Sequence, residues 1–324
     1  GYSKDSGVTL IEDDGFAFKD LNRNGKLDAY EDWRLDYEIR ARDLADQMSG
    51  EEIAPYLTHG GLGTFTTNRS SFRSDSNSGY AYILGGGRGG VTRNTGTTAA
   101  EAVDHAKWVN LVQELCEELD YGIPALVSID PNDQAGLVQG LSLASTMDTE
   151  LAVNVGKAYS EQYRAMGVNA LLGPQIDLMG SPTMERGFET YGEDPALSRD
   201  ITEAFVSGMQ STWDGDTDLG WGSDSVLTIM KHYSGAGASE GGRDDHTASG
   251  KYSIFPNDNY EAHLIAFHDG AFNLTHSSTK SAGGVMMNYS ANYSEDGSLG
   301  DMVGGAFCQW KYDTLFGSGW TGFI

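Results

Sequence analysis

Short apolar runs alternate with amphipathic stretches through most of the chain after residue 98. The runs that indicate strands buried on both faces are 125–129, 168–173, 226–230 and 284–288. The stretches with apolar residues at helical spacing are 99–119, 149–166, 198–213 and 257–272. This alternation predicts an α/β fold with parallel strands and right-handed crossovers. A doubly wound sheet and a barrel fit the pattern equally well.

The two ends of the chain depart from this regular order. Residues 1–31 are polar and rich in turn residues, and residues 37–48 then have helical periodicity. Ser49 and Glu52 have the spacing of a capping box, which predicts a helix start. A helix over 303–316 and a strand over 320–324 are predicted at the other end. We therefore expect an N-terminal extension, residues 1–48, followed by one large domain, residues 49–324.

The charge and the cysteine content narrow the possible functions. The formal net charge is −26, so nucleic acid and anionic membranes are excluded as partners by repulsion. No stretch of about 18 apolar residues is present, so no membrane-spanning segment is expected. Two cysteines exclude a disulfide framework, and Cys116 falls within an amphipathic pattern that predicts a buried free thiol.

A twelve-residue segment, Asp20 to Glu31, matches a calcium-binding EF-hand loop position by position. It has oxygen-bearing side chains at the first, third, fifth, ninth and twelfth positions and glycine at the sharp turn. The predicted ligands are Asp20, Asn22, Asn24, Lys26 through its backbone carbonyl, Asp28 and Glu31. Calcium here would be structural, because it would fasten the N-terminal extension. An Asx-rich turn without metal is the alternative.

Polar residues follow each of the four predicted strands. They are Asp130 after the first, Asp177 followed by Arg186 and Glu189 after the second, Lys231 and His232 after the third, and Asn288 and Tyr289 after the fourth. Parallel α/β enzymes place their chemistry at the carboxyl ends of strands. Carboxylates beside cationic groups bind vicinal hydroxyls through charge-assisted hydrogen bonds. Structural ion pairs are the alternative, and for Glu189, Glu193 and Asp194 we favour it because Glu-Asp-Pro is typical of a helix start.

The adjacent pair Lys231 and His232 imposes a condition on the backbone. Neighbouring residues of a regular strand point to opposite faces, so both reach one pocket only if the strand end is irregular. We therefore predict strain or a cis peptide bond within residues 231–235.

Together these segments resemble glycoside hydrolase family 3, the β-glucosidase and β-xylosidase group. The resemblance runs in order through nearly the whole chain. The segments that carry it are DLNRNGKLDAYEDWR (20–34), YGIPALVSID (121–130), RGFETYGEDP (186–195), KHYSG (231–235), GGRDDH (241–246), FPNDNYEAH (255–263) and VMMNYS (285–290). It implies a (β/α)8 TIM-like barrel that holds a sugar at the carboxyl ends of its strands.

The resemblance also implies roles for particular residues. Asp130, Arg186, Lys231, His232 and Tyr289 would line the subsite for the non-reducing sugar. Asp245 and His246 lie on a loop after the Lys-His strand, where some family members carry an Asp-His pair as acid/base. Most members instead use a glutamate from a later domain.

By the same resemblance, the nucleophilic aspartate and the usual acid/base glutamate would lie beyond residue 324. Trp320 to Ile324 aligns with the strand that precedes the nucleophile, so the barrel would be incomplete at this end and 324 residues alone would not hydrolyse glycosides. The expected function is the N-terminal part of a retaining, exo-acting β-glycosidase that hydrolyses terminal β-glucosides or β-xylosides, with the remainder of the enzyme as partner. A non-catalytic carbohydrate-binding barrel is the alternative, and a calcium-fastened structural or adhesion module is a third. An extracytoplasmic or secreted location is expected.

Overall fold

A computed structural model describes residues 2–57, 59–61, 90–92, 99–130 and 138–324. It divides into two compact units, Gly1–Ser128 and Ile129–Ile324. The predicted boundary between residues 48 and 49 stays a prediction. The composition of residues 66–98, rich in Gly, Ser, Thr, Asn and Arg, predicts a long loop, and all of these residues except 90–92 lie outside the described residues.

The first unit begins with an antiparallel hairpin, within the segment whose composition predicts only turns. Strands β1 (Thr9–Asp13) and β2 (Phe16–Asp20) pair in register around Asp14 and Gly15, both with positive φ. An Asp-Gly pair in this conformation is the preferred two-residue hairpin turn. Helix α1 (Tyr37–Gln47) follows, and helix α2 (Gly50–Ile53) begins with the predicted capping box.

The remainder of the first unit has the expected parallel order. Strand β3 (His59–Gly61) pairs in parallel with β4 (Gly90–Thr92), and β4 pairs in parallel with β5 (Val127–Ile129). Helix α3 (Ala99–Glu117) lies between β4 and β5 along the chain. Cys116 is a buried free thiol on this helix, as predicted.

The second unit continues the strand–helix alternation. Its elements after β5 are α4 (Gly140–Ala144), α5 (Thr149–Ala165), β6 (Ala170–Leu171), α6 (Pro195–Gln210), the hairpin β7 (Trp213–Asp214) and β8 (Thr217–Asp218), β9 (Leu227–Tyr233), β10 (Tyr252–Ser253), β11 (Gly284–Met287), β12 (Ala291–Asn292) and α7 (Gln309–Gly317). Strands β6, β9 and β11 pair in parallel in that order. The Leu172 amide donates to the Ile129 carbonyl at 2.8 Å, which continues the ladder at β6. The predicted α/β class with parallel strands is confirmed.

Two predicted elements near the end of the chain differ in detail. The helix expected over 257–272 is a 3-10 helix, Pro256–His263, followed by a π-helical turn, Ala266–Ala271. Asn257 and Asp258 have positive φ, which breaks the α-helical hydrogen-bond pattern. At the last predicted strand, the Val285 amide donates to the Phe323 carbonyl at 2.9 Å, so this segment pairs in parallel beside β11.

Helices α5 and α6 pack so closely that their contact requires glycine. A Cβ on Gly156 would lie 2.4 Å from the Phe205 carbonyl oxygen, and a Cβ on Gly208 would lie 2.2 Å from the Val153 carbonyl oxygen. Such a backbone contact cannot relax by moving a side chain. The pair of glycines therefore sets the distance between the two helices.

We predict that Gly156→Ala lowers the free energy of unfolding by about 1–3 kcal/mol, because the added methyl group forces the helices apart. Chemical denaturation measures the loss. Gly317→Ala is the matched control, since a Cβ there would meet no atom of the described residues within 4 Å, and its effect should stay within about 0.5 kcal/mol. Equal stability of both variants would contradict the close packing.

Candidate active site

Polar residues of the second unit collect where its parallel strands end. Asp130 follows β5 directly, and Lys231 and His232 lie near the carboxyl end of β9. Asp177 follows β6, and Asn288 follows β11. Since parallel strands present their carboxyl ends at one edge, the fold brings these residues to the same side of the ladder.

Asp130 and Lys231 form a direct ion pair. The Lys231 Nζ donates to the Asp130 Oδ2 at 2.7 Å, and the lysine side chain is 2% exposed against 28% for the aspartate. Burial lowers the pKa of Lys231, while the charge and hydrogen bond of Asp130 oppose that shift. The lysine is thus held inside the fold by its partner, and the carboxylate of Asp130 keeps a face open to solvent.

His232 is fixed by a second carboxylate. Asp177 accepts from the His232 backbone amide at 3.2 Å through Oδ1, and its Oδ2 lies 2.8 Å from the His232 Nδ1. The Asp177 side chain is fully buried. This bidentate contact sets both the backbone and the ring of His232, so its Nε2 is the nitrogen left to act elsewhere.

The backbone at this strand end is irregular, as predicted. Lys231 pairs with Met286 and Tyr233 pairs with Met287, so His232 is an extra residue in the ladder between β9 and β11. A cis peptide bond joins Lys231 to His232. A bulge of this kind re-aims a side chain at the end of a strand.

Arg186 pairs with Glu189 one turn further along the chain. The Arg186 Nε and Nη2 both donate to the Glu189 Oε2, at 3.0 and 2.5 Å. Burial lowers the pKa of Arg186, but the hydrogen bond and charge of Glu189, with the charges of Asp130 and Asp177, raise it overall. The structural role predicted for Glu189 fits this geometry. Asp194 accepts from the amides of Ala196 and Leu197 and caps α6, as predicted.

Arg186 and His232 line one small cavity that opens to solvent. Its wall also includes Gln175, Glu185, Asp244 and Asp245. The carboxamide oxygen of Gln175 is buried and accepts no hydrogen bond from the residues that the structure describes. Gln175 lies opposite Lys231 in a parallel bridge, so it faces the same strand end. The lining thus includes charged side chains of both signs.

Asp245, His246 and Tyr289 form a cluster at this cavity. The His246 Nδ1 lies 2.6 Å from the Asp244 Oδ1 and 3.6 Å from the Asp245 Oδ1. The Tyr289 amide donates to the Asp245 Oδ2 at 3.3 Å, and the Tyr289 ring meets the His246 ring edge-on at 5.0 Å. The closer partner of His246 is therefore Asp244, which the sequence reading had not singled out.

The structure thus joins the predicted residues in two groups. Asp130 contacts Lys231 directly, and Tyr289 contacts Asp245 and His246. Arg186 and His232 line the same cavity as Asp245, and the charge of Asp130 acts on Arg186. Sequence reasoning missed Gln175, Asp244 and Lys311. The last is a fully buried lysine on α7, where it stands between Trp310 and Tyr312 in the sequence.

The predicted calcium loop lies in the first unit. Asp20 accepts from the amides of Asn24 and Gly25, each at 3.0 Å, and Glu31 accepts from the Leu21 amide at 2.6 Å. The side chains of Asn22 and Asn24 both reach the Asp28 Oδ2 at 2.6 Å. Asn22 and Asn24 therefore meet at Asp28, while Asp20 and Glu31 bind backbone amides of the loop.

Comparison with known proteins identifies the family. Residues 73–271 match the family described as Glycosyl hydrolase family 3 N terminal domain. The chain belongs to this family.

Relatives of this family match the chain over most of its length. A periplasmic β-glucosidase/β-xylosidase of Dickeya chrysanthemi is 34% identical over 319 residues, which are 93% of this chain and 46% of the relative. β-Glucosidase C of Emericella nidulans is 30% identical over 271 residues, which are 78% of this chain and 42% of the relative. The chain therefore spans less than half the length of these relatives.

A solved structure supports the fold of this family 3 chain. A β-glucosidase from Erythrobacter marinus superposes with a TM-score of 0.65 at 24% identity, covering 82% of this chain and 33% of that protein. The likeness concerns the fold alone, which is α/β and similar to a TIM barrel. Among the described residues, no helix has both the length and the apolar character needed to span a bilayer.

We predict that Asp130→Asn destabilises the protein by about 3 kcal/mol near pH 6, because it leaves the buried ammonium of Lys231 without its carboxylate. The loss should shrink towards pH 9. Without Asp130 the pKa of Lys231 falls further, and a neutral amine at higher pH no longer needs a counter-charge.

Urea unfolding at the two pH values measures this effect. The double variant Asp130→Asn with Lys231→Met is the control and should recover most of the stability lost in the single variant. A pH-independent loss, or a double variant that simply adds two losses, would show that the two groups are not coupled.

Proposed function

We propose that the protein containing this chain is a retaining, exo-acting β-glycosidase that removes terminal β-linked glucose or xylose. The observation that carries the proposal is the direct Asp130–Lys231 pair at the strand ends, beside a cavity lined by Arg186 and His232. The names of the relatives from Dickeya and Emericella agree with this activity.

In the proposed sugar subsite, each charged group forms hydrogen bonds with the hydroxyls of the sugar. The exposed side of Asp130 accepts hydrogen bonds, while Lys231 and Arg186 donate them. Each cationic group already has a carboxylate partner, so the site needs little rearrangement when a sugar replaces water. Tyr289, whose ring is 54% exposed, offers an apolar face beside the hydroxyl-binding groups.

The reaction itself needs two carboxyl groups about 5–5.5 Å apart, a nucleophile and an acid/base. We propose that the nucleophile belongs to a further segment of the protein, in a strand continuing from the Phe323 pairing beside β11. The imidazole of His246 is a candidate acid for the leaving oxygen. Its Nδ1 faces the carboxylates of Asp244 and Asp245. A glutamate from another domain is the competing candidate.

Hydrolysis of aryl β-D-glucosides and β-D-xylosides by the full-length protein tests this proposal. We expect Asp130→Asn and Lys231→Met each to lower kcat/KM by at least about 100-fold, because charge-assisted bonds to the substrate are lost. Lys157→Met is the matched control, since that lysine lies over the Trp213 ring away from the site, and it should keep full activity. The released sugar should keep the β configuration.

Two results would contradict the proposal. An inactive full-length protein that binds monosaccharides would favour the non-catalytic carbohydrate-binding barrel. Site variants with unchanged kcat/KM would show that substrate binds elsewhere.

We also propose that the Asp20–Glu31 loop holds a structural Ca²⁺ ion. The ligands would be the carboxylates of Asp20, Asp28 and Glu31, the carboxamides of Asn22 and Asn24, and the Lys26 carbonyl. The donor set fits, because hard cations prefer such oxygens and because turning the two asparagine amides would aim their oxygens at Asp28. Burial raises the pKa of Glu31, while hydrogen bonds from backbone amides oppose this shift. A bound cation would favour the ionised form of Glu31.

Calcium titration followed by thermal unfolding tests the loop. At about 100 times its Kd, Ca²⁺ should add about 2.7 kcal/mol to the free energy of unfolding. Asp20→Ala should abolish the effect, and Asp46→Ala, on the exposed side of α1, should preserve it. Identical melting with calcium and with EDTA in the unaltered protein would refute the ion.

The location of the protein is a further proposal. The acidic surface and the calcium loop favour an extracytoplasmic or secreted protein, since calcium is abundant outside the cytoplasm. The Dickeya relative is described as periplasmic, which agrees with this location.

A further inference from the structure

Lys311 is a buried cation that the proposed sugar site does not use directly. It lies in helix α7 and has no exposed surface. Its Nζ donates to three oxygens: the Asn288 Oδ1 at 2.5 Å, the Ser234 carbonyl at 3.2 Å and the Ser290 carbonyl at 3.5 Å. All three acceptors are uncharged, and none belongs to α7.

These acceptors come from the segments that carry the site. Ser234 lies two residues beyond His232, at the end of β9. Asn288 and Ser290 flank Tyr289, at the end of β11. The contacts of Lys311 therefore fasten two neighbouring strand ends to each other.

Further hydrogen bonds connect the same segments. The Asn288 Nδ2 donates to the Ser290 Oγ at 2.8 Å, and the Ser290 Oγ lies 2.7 Å from the Ser253 Oγ. The Ser234 Oγ lies 2.5 Å from the Tyr260 hydroxyl. Lys311 is the charged centre of this buried network. Removing it leaves three buried oxygens without a donor, which is costly.

We propose that Lys311 is a positioning residue for the sugar site: its ammonium ties the ends of β9 and β11 together and so fixes His232 and Tyr289 relative to each other. This inference rests on the proposed glycosidase function, since it concerns the same site. Three oxygens require three N–H donors, which only the protonated lysine offers. The arrangement therefore depends on the charge of Lys311 as well as on its shape.

The surroundings of Lys311 make that charge sensitive to pH. Burial lowers its pKa to about 8, while the charges of Cys308, Asp245 and Asp177 oppose the shift. Cys308 precedes α7, Asp245 lies on the loop after β9, and Asp177 follows β6. The Tyr260 hydroxyl faces the same network through Ser234. Above about pH 8 the amine loses one donor, and the contact between the strand ends weakens.

The first test compares Lys311→Met with the control Lys157→Met in the full-length protein. D-Glucose and D-xylose are the probes, and titration calorimetry at pH 6.5 measures their Kd. We expect Lys311→Met to weaken binding about tenfold while circular dichroism stays native, and Lys157→Met to bind like the unaltered protein. A folded Lys311→Met variant with unchanged Kd overturns the positioning role.

The second test uses Asn288→Asp, which places a carboxylate 2.5 Å from the ammonium. A carboxylate there raises the pKa of Lys311, so the loss of sugar affinity at alkaline pH should move to higher pH in this variant. Lys231 also has a lowered pKa, so its deprotonation contributes separately to the loss of sugar affinity at alkaline pH. Asn288→Asp leaves its partner Asp130 unchanged, so this second contribution should not move. If sugar affinity is lost at the same alkaline pH in Asn288→Asp as in the unaltered protein, the proposal is overturned. This test decides the question if Lys311→Met does not fold.

Failure of the inference and failure of the proposed function are distinguishable. If the unaltered full-length protein binds neither sugar, the glycosidase proposal fails and the positioning role falls with it. If it binds sugar and both variants behave like it, only the role of Lys311 is wrong.

Discussion

The site is organised by one constraint, which is that a lysine buried at a strand end needs an anion beside it. Lys231 is almost wholly inside the second unit, and its Nζ reaches the Asp130 carboxylate at 2.7 Å. An isolated ammonium in this position would cost several kcal/mol. The pair therefore ties the end of β9 to the residue that follows β5, and the remaining polar residues are arranged around that tie.

A basic side chain held by a carboxylate also recurs around the cavity. Asp177 holds His232, and Glu189 holds Arg186, so each basic group has a carboxylate at hydrogen-bond distance. Such pairs keep side chains in place before a ligand arrives, which lowers the entropy lost on binding. The Asp130 side chain is 28% exposed, so part of its carboxylate lies at the solvent surface. A ligand crowded with hydroxyls suits this mixture of fixed donors and open acceptors.

Much of the fold follows from local patterns. The continuous apolar runs became parallel strands because their residues are buried on both faces, and the capping residues Ser49 and Asp194 begin helices as expected. The irregular end of β9 was also predictable, since an adjacent Lys-His pair cannot share a pocket from a regular strand. The 3-10 and π turns over 256–271 were not, because positive φ at Asn257 and Asp258 leaves no periodic signal.

The candidate site was likewise predictable only in part. Asp130 and Lys231 could be placed at one edge of the sheet, because each lies at the end of a parallel strand. The partner of His246 is Asp244 rather than Asp245, and the role of Lys311 depends on how α7 docks against two strand ends. Both depend on loop and helix placement that the spacing of residues does not encode. Closure of the strands into an eight-stranded barrel likewise stays a prediction.

A crystal structure of the full-length protein with a bound monosaccharide tests the central claim most directly. The expected result is a sugar ring whose adjacent hydroxyls lie within hydrogen-bond distance of the Asp130 carboxylate and the Lys231 ammonium. A sugar bound at another surface, with no contact to the Asp130–Lys231 ion pair, would contradict it.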